Sequence, residues 1–285
     1  MQAVEKPQNY QKTLNNSNNG ADNTNYVSEA EAKILPSVQN ALKNIIAKEG
    51  FTLYKLTRRT IASNGSNYMA DLYEIDIKGQ TNEGYKEIHL FLKHIIPVEA
   101  IQSLIDVNIC YSHEVFFYNE LSEVFNKLQE NAKIPEGERF KTVKNYECNQ
   151  DAMILENLAR KGFKTLHRMD VMPIQFAELS ITQLARLHGL SFVLKHKNRD
   201  YFEEKIKRIE SPLHFDKIEV WKPFVKRQFE NSTKYFGTGV QEKINQFLEN
   251  KFIEKFPKHF KGVTDSIKCL CHGDFRISNV MFKDN

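Results

Sequence analysis

Apolar residues change their period partway along this chain, and that change narrows the folds open to it. Between Phe51 and Ile96 they alternate: Tyr73, Ile75 and Ile77 in one segment, then Ile88, Leu90 and Leu92 with His89, Phe91 and Lys93 between them. Side chains of a strand point to opposite faces in turn, so the pattern predicts half-buried strands over Phe51–Ile61, Tyr68–Ile77 and Lys86–Ile96. The turn Ser63-Asn64-Gly65-Ser66-Asn67 separates the first two. From Pro173 to Lys268 the apolar residues recur at helical spacing almost without a break. A small antiparallel sheet ahead of a helical half implies an α+β protein of two lobes.

The remaining segments fit that division. Residues 1–28 hold seven Asn between Asn9 and Asn25 and too little apolar surface to offset the entropy of ordering, so a disordered polar tail is expected. A first helix is expected from Pro36, with Val38, Leu42, Ile45 and Ile46 as its apolar stripe and Gly50 as its stop. A second is expected around His113–Leu128. A short strand, Ala152–Leu155, should lead into Glu156-Asn157-Leu158 and a turn at Gly162. The lobes then span residues 29–155 and 156–285.

Charge and cysteine usage exclude several classes. The 285 residues carry 40 basic and 36 acidic side chains, a net charge of +4, which sets up no dominant field for nucleic acid. A modest basic excess over residues 195–261 is interleaved with Phe, Ile and Leu at helical spacing and reads as solvated helix faces. No apolar run approaches the ~18 residues of a membrane span, and the amino terminus lacks a signal core. Cys110, Cys148, Cys269 and Cys271 show no C-x-x-C spacing, so a reduced, cytoplasmic protein is expected. Cys269 and Cys271 should share a strand face without completing a zinc site. Glycine-rich phosphate loops, dinucleotide fingerprints, zincin helices and serine-hydrolase elbows are absent.

One constellation with chemistry remains. Cys269–Cys271 and Val280–Phe282 read as short strands flanking His272-Gly273-Asp274, and Asn279 follows Asp274 by five positions. A phosphotransferase needs a carboxylate beside the acceptor hydroxyl and an oxygen ligand for magnesium, and Asp-x-x-x-x-Asn supplies both from one loop. In the amino half, Lys93 sits in the apolar strand Leu90-Phe91-Leu92-Lys93, and Glu114 begins the next helix on the face of Tyr118, Leu121 and Phe125. Either group buried alone would cost roughly 3–5 kcal/mol; pairing them removes that cost and aims the ammonium at phosphates.

Six short motifs in this order resemble the insect ecdysteroid-kinase-like family, protein-kinase-like small-molecule kinases related to choline kinases and aminoglycoside phosphotransferases. Ser66 and Asn67–Tyr73 look like its nucleotide-covering hairpin, and Phe91-Leu92-Lys93 with Pro97 like its phosphate-lysine strand. Glu114–Tyr118 resembles its helix glutamate segment. Leu155-Glu156-Asn157-Leu158 with Gly162-Phe163 resembles its interlobe hinge, where family members usually carry Asp in place of Asn157. Leu184–His188 looks like its long carboxy-lobe helix, and His272-Gly273-Asp274 with Asn279 like its catalytic loop.

The resemblance implies a two-lobed protein-kinase-like fold and ATP- and magnesium-dependent phosphoryl transfer to a hydroxyl of a small, hydrophobic, steroid-like alcohol. Asp274 would be catalytic and Asn279 a magnesium ligand. Lys93, Glu114, Ser66, Asn67, Glu156, Asn157 and Leu158 would bind ATP. His188 would only pack, and His272 would brace the loop. Phe202, Phe215, Trp221, Phe224 and Tyr235 fall where the family builds its acceptor pocket. Neither nucleic acid nor membrane is expected as a partner. Family members carry a second metal-binding Asp one strand beyond the catalytic loop, which the given residues do not reach. The carboxy lobe is therefore expected to be incomplete, and the alternative reading is a non-catalytic pseudokinase or small-molecule-binding module.

Overall fold

Alternation over residues 51–95 produces the sheet. The structure, a computed structural model, describes residues 26–27, 35–62, 70–96, 104–167, 170–213, 217–252, 255, 258 and 268–283. Strands β2 (Phe51–Thr60), β3 (Ala70–Thr81) and β4 (Gly84–Ile95) run antiparallel, with Leu56 opposite Ile77 and Ile75 opposite Leu90. Beyond β4 lie β6 (Ala152–Glu156) and then β5 (Asn145–Cys148), both antiparallel. The expected tail lies outside the described residues except for β1 (Tyr26–Val27), which adds a parallel pair to the free edge of β2. These are the first two β-favouring residues after the Asn run.

Helices cover both faces of the sheet. Helix α1 (Pro36–Lys48) buries Val38, Ala41, Leu42, Ile45 and Ile46 against Leu56, Ile75, Ile77, Leu90, Leu92 and Ile154. The other face, with Met153 and Leu155, receives Tyr111 of α2 (Val107–Phe116). Helix α2 begins well before the expected His113, because the Asp106 side chain accepts the Ile109 N–H at 3.0 Å and caps it there. It continues through a π turn, Phe117–Leu121, into α3 (Ser122–Asn131).

That continuous rod joins the lobes. Val115 and Tyr118 pack with the sheet, whereas Leu121 and Phe125 belong to the carboxy-lobe core. There they meet Leu187, Leu190 and Leu194 of α4 (Ile174–Lys197), together with Phe202 and Ile206. Helices α5 (Ile218–Thr233) and α6 (Thr238–Phe247) follow, with Trp221 and Leu248 buried in a separate cluster. The molecule is thus the two-lobed α+β fold expected. Among the described residues no helix is long and apolar enough to cross a membrane.

Candidate active site

Strand pairing sets Lys93 between Leu72 and Met153, on the sheet face that α2 covers. Its ammonium donates to Glu114 Oε1 at 2.7 Å and Oε2 at 2.6 Å, with side chains 23% and 40% exposed. Ile95, Val107, Cys110 and Tyr111 complete the surround. Burial pushes the Cys110 thiol up, and the carboxylates of Glu114 and Asp106 add to it, with Asp274 contributing from the loop beyond. The pair inferred from the sequence is formed, though Glu114 stands in the third turn of its helix and does not begin it.

The loop at Asp274 is folded on itself. Gly273 adopts φ +83°, a left-handed turn that glycine enters at no steric cost. The Asp274 N–H donates to His272 Nδ1 at 3.3 Å. Asn279 Nδ2 donates to the Asp274 carbonyl and to its Oδ2, both at 2.9 Å, and Arg276 Nε lies 3.2 Å from the same Oδ2. Asp274 is 60% exposed, and its Oδ1 takes no donor among the described residues. Asn279 is exposed, and with Nδ2 so engaged its carbonyl Oδ1 is the remaining polar atom of the side chain. One carboxylate and one amide oxygen are hard donors of the kind magnesium accepts alongside phosphate oxygens and water.

The two flanking strands are not formed among the described residues. Leu270 N–H donates to Ser191 Oγ at 3.1 Å, while Phe282 exchanges backbone hydrogen bonds with Lys164 at 2.7 and 2.8 Å and stacks on Phe176. Backbone groups that a ladder would have used are held by α4 and by the segment after the hinge.

At the hinge, β6 ends in Glu156 and the Asn157 side chain caps a 3-10 turn, Leu158–Lys161, closed by Gly162 at φ +87°. Glu156 N–H is taken by the Lys144 carbonyl and Asn157 N–H by that of His89; the Asn157 and Leu158 carbonyls accept from Arg160 and Phe163. The Glu156 carbonyl and the Leu158 N–H stand on either side of Asn157, outside the turn and loop hydrogen bonds of this segment. An acceptor and a donor two residues apart on one edge match the amino group and ring nitrogen of an aminopurine.

A charged cluster missed from the sequence anchors this hinge. Asp76, 4% exposed, receives His89 Nδ1 and Arg59 Nη2 at 2.6 Å and Arg160 Nη2 at 3.0 Å. Asn157 Nδ2 donates to Glu74 at 3.1 Å. Glu74, Asp76 and His89 alternate with buried isoleucine and leucine, so their pattern is that of a solvent face; Arg59, Asn157 and Arg160 converge on them in the fold. Asn157 is therefore a buried structural link as well as a hinge residue.

Other expected positions separate. Ser66, Asn67, Pro97 and Phe215 lie outside the described residues. Phe202 and Trp221 are buried in two different clusters, while Tyr235 is 83% exposed, so the expected aromatic residues do not line one acceptor pocket. An apolar cleft of about 440 Å³ instead lies between α5 and α6, lined by Phe229, Val240, Ile244 and Phe247. Cys269 and Cys271 approach His188.

A strand lysine paired to a helix carboxylate, in a lobe hinged to another that holds an Asp-x-x-x-x-Asn loop, defines a kinase-like protein. The model of the ecdysteroid kinase-like family matches residues 64–285, and the chain belongs to that family. Its general class is accordingly a kinase-like phosphotransferase. No curated protein and no solved structure matches the chain significantly.

Proposed function

We propose that this protein transfers the γ-phosphoryl group of ATP to a hydroxyl of a small, hydrophobic, steroid-like alcohol. The observation that carries the reading is the Lys93–Glu114 pair, which holds a cation on the sheet face of one lobe while the other presents an open carboxylate at Asp274. Lys93 binds nucleotide phosphates, and Glu114 fixes its direction. The Glu156 carbonyl and Leu158 N–H receive the adenine edge, held in place by Asn157. Ser66 and Asn67 are proposed to cover the phosphates.

Asp274 Oδ1 accepts the acceptor hydroxyl's proton as its oxygen bonds to the γ-phosphorus and the bond to ADP breaks. Asn279 and Arg276 hold the other carboxylate oxygen, so the group is oriented before the acceptor arrives. Asn279 Oδ1 would hold magnesium, which when bound neutralises the phosphate charge. The steroid-like class rests on the family's description as ecdysteroid kinase-like. ADP release by the full chain with magnesium-ATP and a hydroxylated steroid tests the reading. Acceptor-dependent release that Asp274→Asn removes is expected; release indifferent to that substitution would overturn it.

A further inference from the structure

Three side chains that phosphoryl transfer does not use meet beside the catalytic loop. The Sγ atoms of Cys269 and Cys271 lie 4.0 Å apart, and these sulfurs with one ring nitrogen of His188 all fall within 4.8 Å of one another. Zinc–sulfur bonds of about 2.3 Å at a tetrahedral angle set two sulfurs about 3.8 Å apart, close to the spacing present.

A second observation points the same way. His188 Nε2 is buried and has no hydrogen-bond partner, a state that native interiors rarely leave unexplained. An imidazole nitrogen left without a hydrogen-bond partner can be satisfied by a metal ion.

The cluster is also built. Ser191, one turn after His188 on α4, donates its hydroxyl to the His188 carbonyl at 2.7 Å and accepts the Leu270 N–H at 3.1 Å. Leu270 lies between the two cysteines and packs into the carboxy-lobe core. One buried serine thus registers both thiols against the helix that carries the imidazole. Cys271 is exposed, which gives an ion a way in.

We propose that His188, Cys269 and Cys271 bind a zinc-class divalent ion, leaving its fourth position to water. Two thiolates and an imidazole select such ions and reject magnesium, so this site is distinct from the oxygen donors at Asp274 and Asn279. Cys271 stands three residues before Asp274, so the ion fastens the approach to the catalytic loop onto α4. None of the three residues serves the phosphoryl-transfer reading, and the two stand or fall separately.

The test is titration of the full, reduced, metal-stripped chain with cobalt(II) alone. One equivalent should produce a thiolate-to-cobalt charge-transfer band with tetrahedral visible bands, and zinc should erase both. The Cys269→Ser/Cys271→Ser double variant should lose the charge-transfer band. His188→Gln should weaken cobalt binding at least about tenfold, as loss of one of three ligands requires, while Cys110→Ser should leave the cobalt bands as they are. On the unaltered chain, zinc should shield Cys269 and Cys271 from iodoacetamide, read by mass spectrometry, so the test does not depend on how the variants fold. No band at one equivalent, a band that survives the double variant, or equal alkylation with and without zinc would each overturn the proposal.

Discussion

In the proposed reaction Lys93 and Asp274 divide the chemistry between binding and turnover, and substitution should separate them. Lys93→Ala removes charge-assisted hydrogen bonds of about 1.5–3 kcal/mol from the nucleotide phosphates, so ATP affinity should fall roughly 10–100-fold, and turnover with it. Because both members of the Lys93–Glu114 pair are partly exposed, the stability loss in urea should stay near ~1 kcal/mol or below. Asp274→Asn keeps the shape of the loop, so calorimetry should find ATP affinity unchanged while kcat falls about 10²–10⁴-fold. Equal ATP affinity before and after Lys93→Ala would remove that lysine from the phosphate site. The pairing of Lys93 with Glu114 was legible because an ammonium in an apolar strand requires a partner. The Asp76 cluster was not, because its charges alternate as any solvated strand face does.

At the scale of elements, two contacts carry measurable weight. Phe125, 1% exposed, joins α3 to α4, and Phe125→Ala should cost about 3–5 kcal/mol in denaturant unfolding. Glu49 closes α1 onto the sheet through Lys86 at 2.7 Å and Lys144 at 3.4 Å. The hydrogen bond from Lys86, helped by the charges of both lysines, holds its carboxyl below the ordinary value of 4.5. A depressed carboxyl stabilises the fold above its unfolded pKa and loses that contribution as pH falls through the folded one. Thermal melts should therefore show Glu49→Gln less stable than the parent at neutral pH, with the difference closing below about pH 4. Strand β4 and helix α1 follow from periodicity, as does the Ile75–Ile77 alternation of β3, whereas β2 buries only Phe51 and Leu56, on either side of a bulge. Strand β5, Asn-Tyr-Glu-Cys, has no such period and exists because β6 offers it an edge. The strands expected around Asp274 failed for the converse reason: their backbone groups find Ser191 and Lys164.

Over the whole molecule, the rod from α2 to α3 ties the Lys93–Glu114 pair to the core on which Leu270, ahead of the Asp274 loop, packs. Its π turn contains residues that face each lobe, Tyr118 toward the sheet and Phe117 and Leu121 toward the carboxy-lobe core; such turns are frequent at functional sites. The lobe division was legible from the change of period near Pro173, whereas the convergence of His188 with Cys269 and Cys271 depends on how α4 crosses the loop, which no local pattern encodes. Nucleotide bound to one lobe should stabilise the other through that rod. The deciding measurement is the thermal unfolding of the full chain with and without magnesium-ATP, run beside Lys93→Ala. At a hundred times its dissociation constant the ligand adds about 2.7 kcal/mol, which should raise the parent's midpoint by roughly 5–10 °C; at the same ATP concentration a 10–100-fold weaker variant should rise by about half of that or less. No rise in the parent, or the same rise in both, would contradict the nucleotide site built on Lys93 and Glu114.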